Sequence, residues 1–132
     1  MKKREKELIN WCRQHYSILD NSFVSVSGDA SFRKYYRFSA AQQSGQKAHS
    51  LIAVDAPPSH ENNAAFIHVS KLLAEHSMPV PLIEHLSTAQ GFFTLTDFGD
   101  QLLLAQLSSD NADRLYGLAI NTLCQLQTVA TE

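Results

Sequence analysis

The sequence VSVSGDASFRKYYRF, residues 24–38, decides how the rest of the chain is interpreted. Two short runs of alternating apolar residues, 23–26 and 35–38, flank a turn of small residues that contains Gly28. Alternation with a period of two is typical of strands, and Ser-Gly-Asp favours a tight turn between them. Small side chains at such a turn let backbone N–H groups approach an anion, and three cationic side chains follow within residues 33–37. The stretch is compatible with a phosphate-covering flap and with an ordinary hairpin that carries solvated cations.

The composition is that of a soluble globular protein of one domain. The chain has 132 residues, of which 44% are hydrophobic and 18% charged. A formal net charge of −2 gives no basic field for nucleic acid or an anionic membrane. No apolar stretch is long enough to span a bilayer, and no signal-peptide pattern opens the chain. Cys12 and Cys124 lie far apart on predicted apolar helix faces, which indicates a reduced, cytoplasmic protein with both thiols in the core.

Helices and strands alternate on both sides of the hairpin. The sequence predicts a helix over 2–16, then a strand over 50–56 that is ended by Pro57-Pro58. A helix over about 60–76 follows, with Ser59 as its N-cap. The remaining predicted elements are an extended connector over 78–83, a strand over 91–96, a short helix over 102–107 and a helix over 111–128. The last helix carries an apolar stripe without a predicted partner, formed by Leu115, Leu118, Ala119, Leu123 and Leu126. Such a stripe indicates an interface, either with a further lobe or in a homo-oligomer.

Four segments, taken in order, resemble the aminoglycoside phosphotransferase superfamily: GDASFRKYYR at 28–37, DAPP at 55–58, Val80-Pro81 and TDFGD at 96–100. The likeness is closest to its bacterial branch of cell-wall amino-sugar kinases, which phosphorylate N-acetylmuramate and N-acetylglucosamine at the anomeric hydroxyl. The resemblance implies an α+β fold, a kinase-like N-terminal lobe. Its antiparallel sheet would be preceded by a helix, with a helix after the third strand and the first helix of a truncated C-terminal lobe at the end. Residues 1–100 would form the nucleotide-binding lobe and 101–132 the start of the helical lobe.

The resemblance also implies a set of nucleotide contacts. Residues 28–32 would cover the phosphates as the glycine-rich loop of kinases does, Ala53 would roof the adenine, and residues 96–98 would form the hinge at its edge. Leu95 would back the pocket and Val80 would lie near it. The implied set is Gly28, Asp29, Ala30, Ser31, Phe32, Arg37, Ala53, Asp55, Leu95, Thr96, Asp97 and Phe98.

Two departures from the kinase pattern affect the phosphate contacts. Asp55 stands where kinases place a lysine, two residues after the roofing residue, and the place of the partner glutamate falls near Phe66. Our hypothesis is that a cation of the second strand, Arg37 before Lys34 or Arg33, contacts the phosphates instead. The implied cofactors are ATP and Mg²⁺, with the metal ligands and the catalytic base expected from a C-terminal lobe. No His-Gly-Asp loop occurs in the chain, so we expect a fragment without catalytic residues of its own.

Other interpretations remain at this stage. Asp97-Phe98-Gly99 spells the magnesium-binding triplet of protein kinases, but no catalytic loop precedes it, which favours a hinge or turn. The favoured function is the ATP-binding half of a cytoplasmic amino-sugar kinase of cell-wall recycling. One alternative keeps the superfamily with an aminoglycoside or a choline-like amine as the acceptor. Another is a non-catalytic lobe that binds a nucleotide or a partner. Neither nucleic acid nor a membrane is expected as a partner.

Overall fold

The protein, studied as a computed structural model, is described over residues 2–26, 32–42, 47–99 and 103–129. Its elements are α1 (Lys3–His15), β1 (Ser17–Ile18), β2 (Val24–Val26), β3 (Lys34–Ala41), β4 (His49–Asp55), α2 (Asn63–Glu75), β5 (Ile83–Ser87), β6 (Phe92–Thr96), α3 (Leu103–Gln106) and α4 (Ala112–Gln127). The strands form a 6-stranded antiparallel sheet in the order β1-β3-β4-β6-β5, and β2 also pairs with β3. This architecture confirms the predicted α+β class, with a helix before the sheet and a helix after its central strand β4.

Helix α1 covers one face of the sheet and forms the larger core with it. Its apolar positions follow helical spacing, so Leu8, Trp11 and Cys12 are all buried. Burial raises the pKa of the Cys12 thiol to about 12, as expected of a core cysteine. The strand residues of this cluster alternate along the chain, and they are Tyr36, Phe38, Ala40, Leu51, Ala53 and Phe92. Below, this side is called the α1 face.

The other side of the sheet, the α2 face, carries the alternate residues of the same strands. Val54, Phe93 and Leu95 are buried there, and Phe66 of α2 packs against them with its ring centroid 5.1 Å from that of Phe93. No residue of α2 is itself buried. Neighbouring residues of a strand point to opposite faces, so in β4 the side chain of Ala53 packs on the α1 face and that of Val54 on the α2 face.

Gly91 allows a close backbone contact between the end of β4 and the start of β6. Gly91 has a φ of +74°, and a Cβ placed on it would lie 2.1 Å from the carbonyl oxygen of Ala56. The backbone instead approaches closely enough for the Ala56 N–H to donate to the Gly91 oxygen at 2.8 Å. Only glycine fits this turn, because it combines the positive φ with the close contact.

Several local predictions differ from the structure. Helix α2 begins at Asn63, and its N-cap is Asn62, whose side chain accepts from the Ala65 N–H at 3.1 Å, rather than Ser59. Two strands were not predicted, β1 and β5, because β1 has only 2 residues and β5 overlaps the proline-containing connector. Cys124 is exposed on α4, so the expectation that it is a core residue was wrong.

The C-terminal helices expose most of their apolar side chains. Relative exposure is 83% for Leu104, 57% for Ile120 and 60% for Leu123. Within the described part of the chain, no helix is both long and apolar enough to cross a membrane.

Candidate functional site

A groove of about 610 Å³ lies between α2 and the α2 face of the sheet. Its walls are mainly apolar and come from β3, α2, the connector before β5 and β6. The residues that line it are Arg33, Tyr35, Asn62, Ala65, Phe66, Val69, Ser70, Leu73, Val80, Pro81 and Leu95. A concave, largely apolar site with few polar groups is the usual form of a small-molecule site.

Arg33 supplies the positive charge of this groove. The central carbon of its guanidinium lies 4.7 Å from the centroid of the Phe66 ring, and its Nε lies 3.6 Å from Glu61 Oε2. The side chains of Arg33 and Glu61 are only 17% and 12% exposed. A guanidinium over an aromatic ring is attracted to the ring face, and more strongly where water is excluded. Arg33 is therefore held at one end of the groove by a ring and a carboxylate.

Phe32, the first described residue after 27–31, is fixed to the segment that precedes α2. Its N–H donates to Glu61 Oε1 at 3.1 Å. Its ring stacks on His60 with the centroids 4.3 Å apart and an interplanar angle of 19°. These two contacts join the chain that leaves the predicted phosphate-covering turn to the N-terminal end of α2.

Arg37 and Asp97 form a second polar cluster near the other end of the groove face. Nε of Arg37 donates to Asp97 Oδ2 at 2.7 Å and Nη2 donates to Oδ1 at 3.2 Å. The Ser50 hydroxyl and the Gly99 N–H donate to the same carboxylate at 2.5 and 2.7 Å. These hydrogen bonds, above all those from Arg37, lower the pKa of Asp97 to about 2 against the opposing effect of burial. Asp97 therefore accepts the hydrogen bonds of the turn after β6 as a carboxylate that is charged at neutral pH.

The predicted pocket residues lie on the groove face, and the predicted hinge residues follow at the end of β6. Leu95 and Val80 line the groove. The Thr96 N–H donates to the Leu82 oxygen and its hydroxyl accepts from the Leu82 N–H, so the strand end is tied to the connector. Phe98 is 65% exposed just beyond it. Gly28, Asp29, Ala30 and Ser31 lie outside the described residues.

Ala53 and Asp55 lie on the opposite side of the sheet from the groove. Ala53 is fully buried beneath α1. Asp55 is 4% exposed and accepts from Arg4 Nε and Nη2 at 2.8 and 2.7 Å. Their predicted contact with a nucleotide therefore does not fit this groove. A displacement of one residue in the assignment of a strand moves every side chain to the other face, and the β4 residues on the groove side are Ile52 and Val54.

The three cations predicted as candidates for the phosphate contact lie in different places in the structure. Arg33 and Arg37 both share a face with Tyr35, but Arg37 is paired with Asp97 at the hinge, four residues along the strand from Arg33. Lys34 lies opposite Asp55 in the β3–β4 register, on the α1 face. Arg33 is thus the member of the set that lines the groove and directly follows residues 28–32 in the sequence. The sequence-based hypothesis favours Arg37 first, because residue spacing alone does not show which cation Asp97 engages.

Glu61 and His60 were absent from the sequence-derived set. Glu61 precedes the first residue of α2, so the helical spacing that places the apolar positions of α2 says nothing about where its side chain points. The sequence signal available was its place between Pro57-Pro58 and the N-cap residue Asn62, where the backbone is tightly restrained.

Magnesium does not fit the described residues. Within 2–26, 32–42, 47–99 and 103–129, no three His, Cys, Asp or Glu side chains come together as a metal site. Asp97, the first residue of the kinase-like triplet, has both oxygens engaged by Arg37, Ser50 and Gly99. The carboxylate of Asp55 is engaged by Arg4.

Comparison with known proteins places these features in a family. Residues 22–132 match the model of the phosphotransferase enzyme family, APH. The chain is 40% and 39% identical over 106 residues to the N-acetylmuramate/N-acetylglucosamine kinases of Pseudomonas putida and Pseudomonas aeruginosa, which covers 80% of the chain and 30% of each kinase. The kinase of the same name from Neisseria meningitidis is 28% identical over 134 residues, covering 98% of the chain and 38% of that protein.

The chain thus spans about a third of the length of these curated relatives. No solved structure gives a significant match. The family model covers most of the chain, including β2 to β6, α2 and the groove between them. The resemblance inferred from residues 28–37, 55–58, 80–81 and 96–100 is therefore confirmed, and the chain belongs to the APH family of phosphotransferases.

Proposed function

We propose that the chain is the nucleotide-binding lobe of an ATP-dependent phosphotransferase that acts on an amino sugar. The observation that carries this proposal is the apolar groove on the α2 face with Arg33, which follows residues 28–32 in the sequence, in its wall. An apolar slot with a cation at one end suits a ligand with a planar base and a phosphate chain. ATP supplies the phosphoryl group that is transferred.

Each part of the groove has a role in this proposal. Tyr35, Val80 and Leu95 enclose the base, and the backbone at Thr96, Asp97 and Phe98 meets its polar edge. Arg33 contacts the phosphates, because its guanidinium donates to phosphate oxygens in the same geometry as to carboxylates. The turn at 28–31 covers the phosphates from above, with backbone N–H groups as donors. Magnesium ligands and the base that activates the acceptor come from outside the described residues.

The acceptor class is proposed from the relatives. Two kinases that are 40% and 39% identical to the chain over 106 residues carry the name N-acetylmuramate/N-acetylglucosamine kinase. We propose the same acceptors here, phosphorylated at a sugar hydroxyl in the cytoplasm during reuse of cell-wall sugars. Residues 1–100 act as the nucleotide-binding lobe and 101–132 as the start of a helical lobe. The exposed apolar side chains of α4 support this division, because a second lobe or a second copy would cover them.

Calorimetric titration of the protein with Mg·ATP and with adenosine tests the proposal. We expect ATP to bind more tightly than adenosine, and Arg33→Ala to reduce this preference by about tenfold, the usual order for one charge-assisted contact. Arg37→Ala is the matched control, because it removes an arginine of the same strand whose partner is at the hinge. It should leave the preference unchanged. Loss of the preference in Arg37→Ala but not in Arg33→Ala would return the phosphate role to Arg37, and no binding by the folded protein would refute the proposal.

The acceptor class needs its own assay. Phosphorylation of N-acetylmuramate and N-acetylglucosamine by a protein of the full length of the relatives is compared with phosphorylation of an aminoglycoside and of choline. Transfer to the amino sugars alone is expected. Transfer to an aminoglycoside or choline alone would refute the acceptor while leaving the nucleotide site intact.

A further inference from the structure

We propose that Glu61 is a positioning residue, which orients Arg33, and the backbone of Phe32 next to it, towards the phosphates of a bound nucleotide. This inference rests on the proposed function and extends it to a residue outside the sequence-derived set. Glu61 does not itself touch the nucleotide. It acts through the guanidinium of Arg33 and the backbone of Phe32.

The two oxygens of Glu61 hold two different groups. Oε1 accepts from the Phe32 N–H at 3.1 Å, and Oε2 lies 3.6 Å from Arg33 Nε. At 12% exposure the carboxylate is largely shielded from water, so both contacts are stronger than they would be on an open surface. One side chain therefore contacts two consecutive residues, Phe32 and Arg33.

The segment that carries Glu61 is itself well anchored. The N–H groups of His60 and Glu61 both donate to the Pro57 oxygen at 3.0 Å, which makes a tight turn after the two prolines. The next residue, Asn62, caps α2. The His60 ring stacks on Phe32 at 4.3 Å and adds a second connection to the same strand. Glu61 is thus a fixed point from which Arg33 and Phe32 are oriented.

The Arg33 guanidinium has enough donors for both partners. It carries five N–H groups in a plane, so one edge can face Glu61 while another faces a phosphate. The Phe66 ring, 4.7 Å from its central carbon, restricts it further. Kinases place a strand lysine and a helix glutamate in this relation. Here the cation precedes the first residue of β3 and the carboxylate precedes the first residue of α2, so neither partner lies within its element.

A double-mutant cycle on the ATP-over-adenosine preference tests this role. Glu61→Ala should lower the preference about fivefold in the natural background but less than about twofold in Arg33→Ala, because coupled residues act through the same contact. Glu61→Gln should lower it as well, because the charge that holds the guanidinium is lost. Glu75→Ala, an exposed carboxylate at the last position of α2, is the control and should change nothing. An unchanged or stronger preference in Glu61→Ala, or equal effects in both backgrounds, would overturn the proposal.

Hydrogen exchange at the Phe32 amide gives a readout that needs no nucleotide. Glu61→Ala should speed exchange at Phe32, whereas Glu61→Gln should not, because the amide oxygen still accepts the N–H. If the natural protein binds no nucleotide, the proposed function fails, and this readout still decides whether Glu61 holds the backbone of Phe32. Equal exchange at Phe32 in the natural protein and in Glu61→Ala would overturn the positioning role by itself.

Discussion

The two faces of the sheet are built from the same strands and are used differently. On the α1 face, Leu8, Cys12, Phe38 and Leu51 are completely buried, and the charged group Asp55 is neutralised by Arg4. On the α2 face, the covering helix has no buried residue, and a groove of about 610 Å³ separates much of it from the strands. The polar groups of this face are not covered by a helix. Arg33 lines the groove, and the carboxylates of Glu61 and Asp97 pair with Arg33 and Arg37.

The difference indicates that the α1 face stabilises the fold and that the α2 face is available for binding. A close-packed face loses free energy of folding when any of its atoms is removed, so it tolerates little change. A face with an open groove loses less free energy of folding when a side chain is trimmed, and its residues are available for a ligand. The alternation along β4 separates these roles residue by residue, since Ala53 belongs to the first face and Val54 to the second.

The largest expected contrast comes from trimming one aliphatic side chain on each helix. Leu8→Ala should lower the free energy of unfolding by about 2–5 kcal/mol, because Leu8 is fully buried and its removal leaves a cavity. Val69→Ala on α2 should change it by no more than about 0.5 kcal/mol, because Val69 is 50% exposed. Urea unfolding followed by circular dichroism measures both. Similar losses for the two variants would break the comparison, since α2 would then contribute to the core as α1 does.

A smaller contrast is expected from the ion pair on the α1 face. Arg4→Ala should lower the free energy of unfolding by about 2 kcal/mol, because it leaves the carboxylate of Asp55, 4% exposed, without its partner. The Arg4 side chain is 35% exposed, so solvent screening keeps the loss below that of a fully buried pair. Lys3→Ala is the control, because Lys3 is 90% exposed and its pair with Glu7 at 3.9 Å is worth little. Equal losses for Arg4→Ala and Lys3→Ala would show that Asp55 is solvated, and that this face is not closed.

The sequence predicted the elements of this fold better than the faces of its strands. Period-two alternation predicted β3, a continuous apolar run ended by Pro57-Pro58 predicted β4, and the helical spacing of Leu8, Trp11 and Cys12 predicted the buried side of α1. A motif match does not fix which face of a strand a residue occupies, and Ala53 lies beneath α1 rather than in the groove. No periodicity marks Glu61, whose contacts with Phe32 and Arg33 join positions 29 and 28 residues apart in the chain. Such contacts follow from tertiary packing, which local patterns do not encode.

The smallest effect is expected at the Asp97 cluster, and it depends on pH. Arg37, Ser50 and Gly99 lower the pKa of Asp97 to about 2 from its ordinary value of 3.8, so the unfolded chain takes up this proton first as the pH falls. The stabilisation by Asp97 is therefore complete at neutral pH and declines as the pH falls from about 5 towards 2. Asp97→Asn should lower the free energy of unfolding by about 1–2 kcal/mol at pH 7, and the difference from the natural protein should shrink at pH 3. Urea unfolding across this range measures it. A difference that stays constant with pH would mean that folding does not lower the pKa of Asp97. Arg37, Ser50 and Gly99 would then not stabilise its charged form.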